Sequence, residues 1–308
     1  MRVAVVDIGT NSTRLLIADV DAGRETVHEL VRRSEVTRLG AGVDAEGRLS
    51  RDACERVYAR LEEHTAAIAE YRCDANLAVL TSAVRDAANG REFADTVRER
   101  FHLDARVLRG EEEAELTFLG AMSGRASDER PTVVIDIGGG STEFIIGFRG
   151  SAGFHTSLPV GVVRMSERHI HTDPPSAGEL GELALDVRGV LADGLPAGDR
   201  EGASHAIAVA GTATSAASID QQLDPYDPDR VHGYVLTLHT VDALRARLAA
   251  LDEAGRRAVV GLNPDRAPTI VAGMIVLREA MLAFGLDRVE VSEHDILYGG
   301  ALRLAGVG

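Results

Sequence analysis

The sequence predicts an α/β protein built from two similarly organised halves, and three observations carry that expectation. Apolar runs of strand length alternate with segments of helical spacing along the whole chain. An apolar strand ending in aspartate and a small polar turn, "VVDIGTNSTRLLI" from Val5, returns in the second half as "VVIDIGGGSTEFIIG" from Val133. Between the halves lies a polar break, "GRASDERP", from Gly124 to Pro131.

In the first half, "RVAVVDI", a tight turn, "RLLIADV" and, with Gly23 as a turn residue, "GRETVHELVRRSEV" read as paired strands. A helix follows in "SRDACERVYARLEEHTAAIAEY", with Ser50 as its cap and Ala53, Val57, Leu61, Ala67 and Ile68 at helical spacing. "ANLAVLTSAVRDAANG" reads as a buried strand and a short helix ending at Gly90. "GREFADTVRERFHL" is a further helix, and "ARVLRGEEEAELTFLGAMSG" a short strand turning into a helix with an acidic start. The second half opens strand–turn–strand and continues with a helical region around 175–195. "SHAIAVAGTATSAASIDQQL" then reads as strand, small-residue turn and helix. Two helical segments, "TVDALRARLAALDEAGRRAVVG" and "TIVAGMIVLREAMLAFG", precede a last strand and helix in "VEVSEHDILYGGALRL".

At 308 residues the chain suits two domains or one large one, and its 45% hydrophobic content supports a packed core. Trp is absent, so that core must come from Val, Leu, Ile and Ala. A net charge of −15 argues against nucleic acid or an anionic membrane as partner. A polyanionic substrate would need local donors or a cation. Cys54 and Cys73 have neither metal-ligand nor disulfide-framework spacing and read as ordinary thiols, and the histidines show no HExxH pattern. The chain opens directly on a strand, without a signal-peptide pattern. Its apolar runs fall short of the ~20 residues a membrane helix needs, so a soluble cytoplasmic protein is expected.

Aligned, Asp7-Ile8-Gly9-Thr10-Asn11-Ser12-Thr13-Arg14 and Asp136-Ile137-Gly138-Gly139-Gly140-Ser141-Thr142-Glu143 share Asp, Ile, Gly, Ser and Thr at the same places. A hairpin turn favours Gly or Asn for positive φ, but does not require Asp, Ser and Thr twice over. Glycine lets a backbone approach a ligand, and consecutive outward N–H groups make an anion-binding nest. Ser12, Thr13, Ser141 and Thr142 add hydroxyl donors, and Asp7 and Asp136 can position a cation or its waters. Two such loops facing each other across a cleft would grip a phosphate chain. The repeat breaks where Arg14 answers to Glu143: arginine suits a phosphate oxygen, glutamate a divalent cation or a water. Gly211, Thr212 and Thr214 open a helix after a strand, which suits an anion at a helix N-terminus.

These stretches resemble the exopolyphosphatase/guanosine pentaphosphate phosphohydrolase family, the Ppx/GppA phosphatases, in their short two-domain form. The likeness rests on "DIGTNSTRLL", "TSAVRDAAN", "GEEEAELTFLG" and "DIGGGSTEFIIG", with "LPVGVVRM", "AGTATSAA" and "NPDRA" following in order. It implies an α/β fold of two similar actin-like (ribonuclease H-like) domains with a cleft between them. The domains would run over 1–124 and 125–295, the last helix (about 296–308) completing the first. It implies Mg²⁺- or Mn²⁺-dependent release of orthophosphate from the end of inorganic polyphosphate. Glu113 would orient or deprotonate the attacking water, with Asp136 and Glu143 beside cation and water and Asp7 matching them in the first loop. Phosphates would be held by Gly9, Thr10, Asn11, Ser12 and Arg14, by Arg85, by Gly138, Gly139, Gly140, Ser141 and Thr142, and by Gly211 and Thr212. Arg164, Arg266, His294 and Asp295 could touch substrate, with ion pairs or a helix start as their structural alternatives. The same chemistry on the 5′ end of guanosine pentaphosphate is the nearest alternative. A kinase of the same superfamily and a non-catalytic nucleotide-dependent scaffold are more distant ones. The resemblance also makes a homodimer plausible.

Overall fold

The computed structural model describes residues 1–125, 130–148, 151–200 and 202–307. Residues 126–129, the middle of the expected boundary, lie outside the described residues. The chain divides into two compact units, Met1–Ala126 with His294–Gly308, and Ser127–Glu293.

The first unit opens with β1 (Arg2–Ile8), β2 (Ser12–Asp21) and β3 (Thr26–Val36), then α1 (Val43–Glu46) and α2 (Arg51–Glu70). The Ser50 hydroxyl accepts from the Ala53 N–H at 3.3 Å, which fixes where α2 begins. β4 (Ala75–Leu80), α3 (Ser82–Asp86), α4 (Gly90–Phe101), β5 (Ala105–Val107) and α5 (Gly110–Met122) follow. Gly90 starts α4 rather than ending the preceding helix. A Cβ on it would lie 1.8 Å from the Val84 carbonyl oxygen, so close approach, not helix termination, requires glycine there.

The second unit runs β6 (Thr132–Ile137), β7 (Thr142–Phe148), β8 (Ser151–Leu158), α6 (Val162–His169), α7 (Ala177–Gly194), α8 (Ala197–Arg200), β9 (His205–Val209) and α9 (Ala210–Asp220). α10 (Pro228–Val231), β10 (Val235–Thr237), α11 (Leu238–Ala249), α12 (Glu253–Arg257), α13 (Ile270–Ala283) and β11 (Arg288–Val291) complete it, and α14 (Ile296–Leu304) belongs to the first unit.

The first sheet is ordered β3-β2-β1-β4-β5 and the second β8-β7-β6-β9-β11-β10. Each begins with three antiparallel strands and continues with parallel pairing of the first strand to the fourth. The second sheet differs by an added antiparallel edge strand, β10 on β11. Both are therefore copies of one α/β topology. Strand alternation sorts the first core: Ala4, Val6 and Ile8 pack with α2 and α4 residues such as Val57, Leu61 and Phe93, while Val3 and Val5 pack with Leu297, Ala301 and Leu302 of α14.

α14 reaches its sheet by crossing α5 at two glycines. A Cβ on Gly120 would lie 1.8 Å from the Asp295 carbonyl oxygen, and one on Gly299 1.8 Å from that of Leu116. Helix propensity alone favours alanine over glycine by about 1 kcal/mol. Here the backbone contact wins, and Gly299→Ala is expected to destabilise the protein by about 3 kcal/mol, the upper range for overpacking. Urea unfolding checks the sign; a stabilised variant would show that the helices part easily.

Candidate active site

The two repeated turns close identically. Gly9 N–H donates to the Ser12 carbonyl and Gly138 N–H to that of Ser141, both at 3.0 Å. Neither Gly9 nor Gly138 takes a positive φ, contrary to the expectation for turn glycines. A Cβ would instead press on the closing carbonyl, at 3.2 Å from Ser12 O and 3.1 Å from Ser141 O.

The second loop is held from one side. The Gly138 carbonyl accepts from Val162 N–H at 2.9 Å, and that of Gly139 from Val163 and Arg164 N–H at 2.8 and 3.3 Å. The Gly140 carbonyl accepts from Arg164 Nε at 2.8 Å. The unpaired N–H groups of the first turn of α6 thus find their acceptors in the loop. In a trans peptide, C=O and the following N–H point opposite ways, so the N–H groups of Gly139, Gly140 and Ser141 face away from α6. Three consecutive outward N–H groups form an anion-binding concavity. Gly161 allows the contact, since a Cβ there would sit 2.3 Å from Gly139 O. In the first loop the Thr10 carbonyl accepts from Gly40 N–H at 2.8 Å, and that of Asn11 from Thr37 and Arg38 N–H at 3.0 and 2.9 Å. The N–H groups of Asn11 and Ser12 therefore point outward in the same way.

Below each loop, one residue per strand forms a row across the sheet. In the first unit it reads Val79, Asp7, Arg14, Ser34. In the second it reads Val209, Asp136, Glu143, Ser157. The repeat seen in two strands thus extends to four.

The charges in the rows differ. Arg14 pairs with Asp7, Nε and Nη2 lying 2.8 and 2.7 Å from Oδ2, and its Nη1 pairs with Asp295. Asp295 also caps α14, accepting from Leu297 N–H at 3.1 Å. Burial alone would lower the Arg14 pKa, but Asp295 and Asp7 hold it above its ordinary value. Burial raises the Asp7 pKa and outweighs the pull of Arg14. Burial also pushes Asp295 upward, but Arg14, Arg32 and its hydrogen bonds prevail, and its pKa is lowered. Arg14 and Asp7, expected on a phosphate and a cation, are thus matched to one another. In the second row two carboxylates, Asp136 and Glu143, oppose each other at 7% and 2% exposure. Ser141 Oγ and Ser157 Oγ donate to Glu143 Oε1 at 2.7 and 2.6 Å.

Glu113, buried in the first turn of α5, accepts from Arg85 Nη1 at 2.9 Å. Arg85 also donates to the Leu108 carbonyl at 3.1 Å, so this arginine, expected on a phosphate, grips a carboxylate and a backbone oxygen. Glu112 instead accepts from Arg109 N–H at 2.9 Å and holds the helix end. Thr142, expected to donate to phosphate, is fully buried and donates to the Val160 carbonyl at 2.6 Å. Thr13 is likewise buried, its hydroxyl 2.9 Å from that of Thr37, and Thr10 shares a hydrogen bond with Ser82.

α9 begins directly at the end of β9, without the expected turn, and the positive φ falls on Ala210, not Gly211. A Cβ on Gly211 would meet Arg266 Nη1 at 1.5 Å, which sets a guanidinium against the start of α9 beside Thr212. His294 stacks on Tyr298, ring centroids 3.9 Å apart, and its Nδ1 lies 3.2 Å from Ser123 Oγ. Sequence reasoning missed β8, and with it Ser157, and missed α6, which braces the loop. The glycine of "PVGVVR" was the one available sign of the latter.

A profile of the Ppx/GppA phosphatase family matches residues 16–303. The chain belongs to that family. It is 38% identical over 318 aligned residues, 99% of either chain, to exopolyphosphatase 2 of Mycobacterium tuberculosis. Among solved structures, an exopolyphosphatase-like protein matches with a TM-score of 0.93 at 34% identity, over 98% of this chain and 97% of the other. The Ppx/GppA family member of Aquifex aeolicus matches at 0.83 and 29%, over 99% and 97%. This Ppx/GppA phosphatase is therefore a phosphoanhydride hydrolase with the fold of solved Ppx/GppA proteins. Among its described residues no helix is long and apolar enough to cross a membrane.

Proposed function

We propose that this phosphatase is an exopolyphosphatase, releasing orthophosphate from the end of inorganic polyphosphate with Mg²⁺ or Mn²⁺. The observation that carries the reading is the second row: two opposed, buried carboxylates beneath a loop of outward N–H groups. The naming of a full-length relative as an exopolyphosphatase supports it.

Among the described residues no group of three or more His, Cys, Asp or Glu could hold a metal. Mg²⁺ fits such a setting, because it is commonly held by one or two carboxylates together with substrate phosphates and water. Asp136 and Glu143 supply hard oxygen donors of that kind. In the first row Arg14 already provides the positive charge, so Asp7 has no equal claim to a cation. What a divalent ion supplies when bound is neutralisation of charge on the phosphate oxygens. The N–H groups of Gly139, Gly140 and Ser141 hold a phosphoryl group, and those of Asn11 and Ser12 are likewise phosphate-binding groups. Arg266, at the start of α9, is a further anion-binding group. Glu113 orients a water and takes its proton as the oxygen attacks the terminal phosphorus. The bond to the bridging oxygen breaks, orthophosphate departs, and the chain is left one unit shorter. The protein acts in the cytoplasm as a soluble enzyme, without nucleic acid or membrane as partner; a homodimer is its expected assembly.

Phosphate release from polyphosphates of several lengths, guanosine pentaphosphate and ATP, with Mg²⁺ present and chelated, tests this. Release from polyphosphate that is lost on chelation and restored by Mg²⁺ is expected. Release from guanosine pentaphosphate alone would move the assignment to that nucleotide, and release from neither would end it.

A further inference from the structure

Ser157 lies outside every motif that carries the family likeness, yet it stands beside Glu143 in the row across β6, β7 and β8. Its hydroxyl and that of Ser141 both donate to one oxygen, Glu143 Oε1, at 2.6 and 2.7 Å. A glutamate side chain has three rotatable bonds. Two donors from different strands onto the same oxygen select one arrangement. The first unit supplies the contrast: Ser34 occupies the same register position but is exposed, and the neighbouring Arg14 is fixed by two carboxylates. The half-buried serine contact accompanies the row that has a glutamate in place of arginine.

We propose that Ser157 is a positioning residue, which with Ser141 locks Glu143 into the conformation that receives a divalent cation. The proposal rests on the assignment of Asp136 and Glu143 to that cation. Hydrogen-bond partners of metal ligands typically change affinity by ~10–100-fold.

The test is equilibrium binding of Mn²⁺ to the whole protein without polyphosphate, read from the electron paramagnetic resonance of the free ion. Ser157→Ala is expected to weaken Mn²⁺ binding by about 10-fold, while Ser157→Thr, which keeps the hydroxyl, stays close to the parent. Turnover of Ser157→Ala should recover at high Mn²⁺, with the KM for polyphosphate unchanged. Parental affinity in Ser157→Ala, with binding weakened in Asp136→Asn, would overturn the positioning role and leave the cation assignment standing. Unweakened binding in both Asp136→Asn and Glu143→Gln would remove the assignment and the proposal together. Equal losses in Ser157→Ala and Ser157→Thr would also overturn it, since packing and not the hydroxyl would then be at work. Thermal melting verifies folding, and Ser157→Cys, of similar size but a weaker donor, takes the place of an alanine variant that does not fold.

Discussion

Glu113→Gln is expected to lower kcat by at least about 10²-fold, the usual scale for a group that moves a proton in the transition state. The argument starts from the helix end. Three successive glutamates open α5, where carboxylates favour the dipole. Only the third is buried, and only it meets Arg85, whereas Glu112 reaches back to the Arg109 N–H. A buried carboxylate gripped on one side by an arginine that is itself anchored on a carbonyl is held in one orientation. Glutamine keeps the shape and the hydrogen-bond acceptor, but has no anion to take the proton of water. Because Arg85 is partly exposed, water can solvate it after the change, and the melting temperature should move little. Single-turnover phosphate release separates the chemical step from binding. Turnover within tenfold of the parent, in a variant that melts normally, would remove Glu113 from proton transfer.

The hairpin loops were legible because the sequence presents them twice, and the strand-end aspartates because a charge closing an apolar run asks for a reason. Partners far along the chain were not legible. Nothing near Arg14 says that Asp295, brought beside it by α14, will take its Nη1. Side-chain direction was the other blind spot. In both hairpins the threonine after the serine points inward, so Thr13 and Thr142 bond Thr37 and the Val160 carbonyl instead of offering hydroxyls to a ligand. The sequence marks Gly90 as a helix end and Gly211 as a helix start, whereas Gly90, Gly161 and Gly211 each mark an atom lying where a Cβ would be. α6 begins where it does because its first N–H groups find the carbonyls of Gly138 and Gly139, a cause absent from its own residues.

Glu143→Gln should separate function from stability, with opposite signs. Asp136 and Glu143 face each other in register within a buried hairpin. Like charges directly opposite one another destabilise a sheet pair. Removing one charge while keeping an oxygen for Ser141 and Ser157 is therefore expected to raise metal-free stability by about 1 kcal/mol. The same change deletes one of two carboxylates assigned to the cation, and kcat at ordinary Mg²⁺ is expected to fall by at least about 10²-fold. Denaturant unfolding in chelator and phosphate release in Mg²⁺, on one preparation, read both effects. A variant less stable than the parent in chelator would mean that the Ser141 and Ser157 hydroxyls outweigh the repulsion. Turnover close to the parent would mean that the opposed carboxylates serve the fold and not the reaction. The first unit sets Arg14 between two carboxylates where the second sets Glu143 opposite Asp136, and opposed carboxylate oxygens are the donors a divalent cation takes.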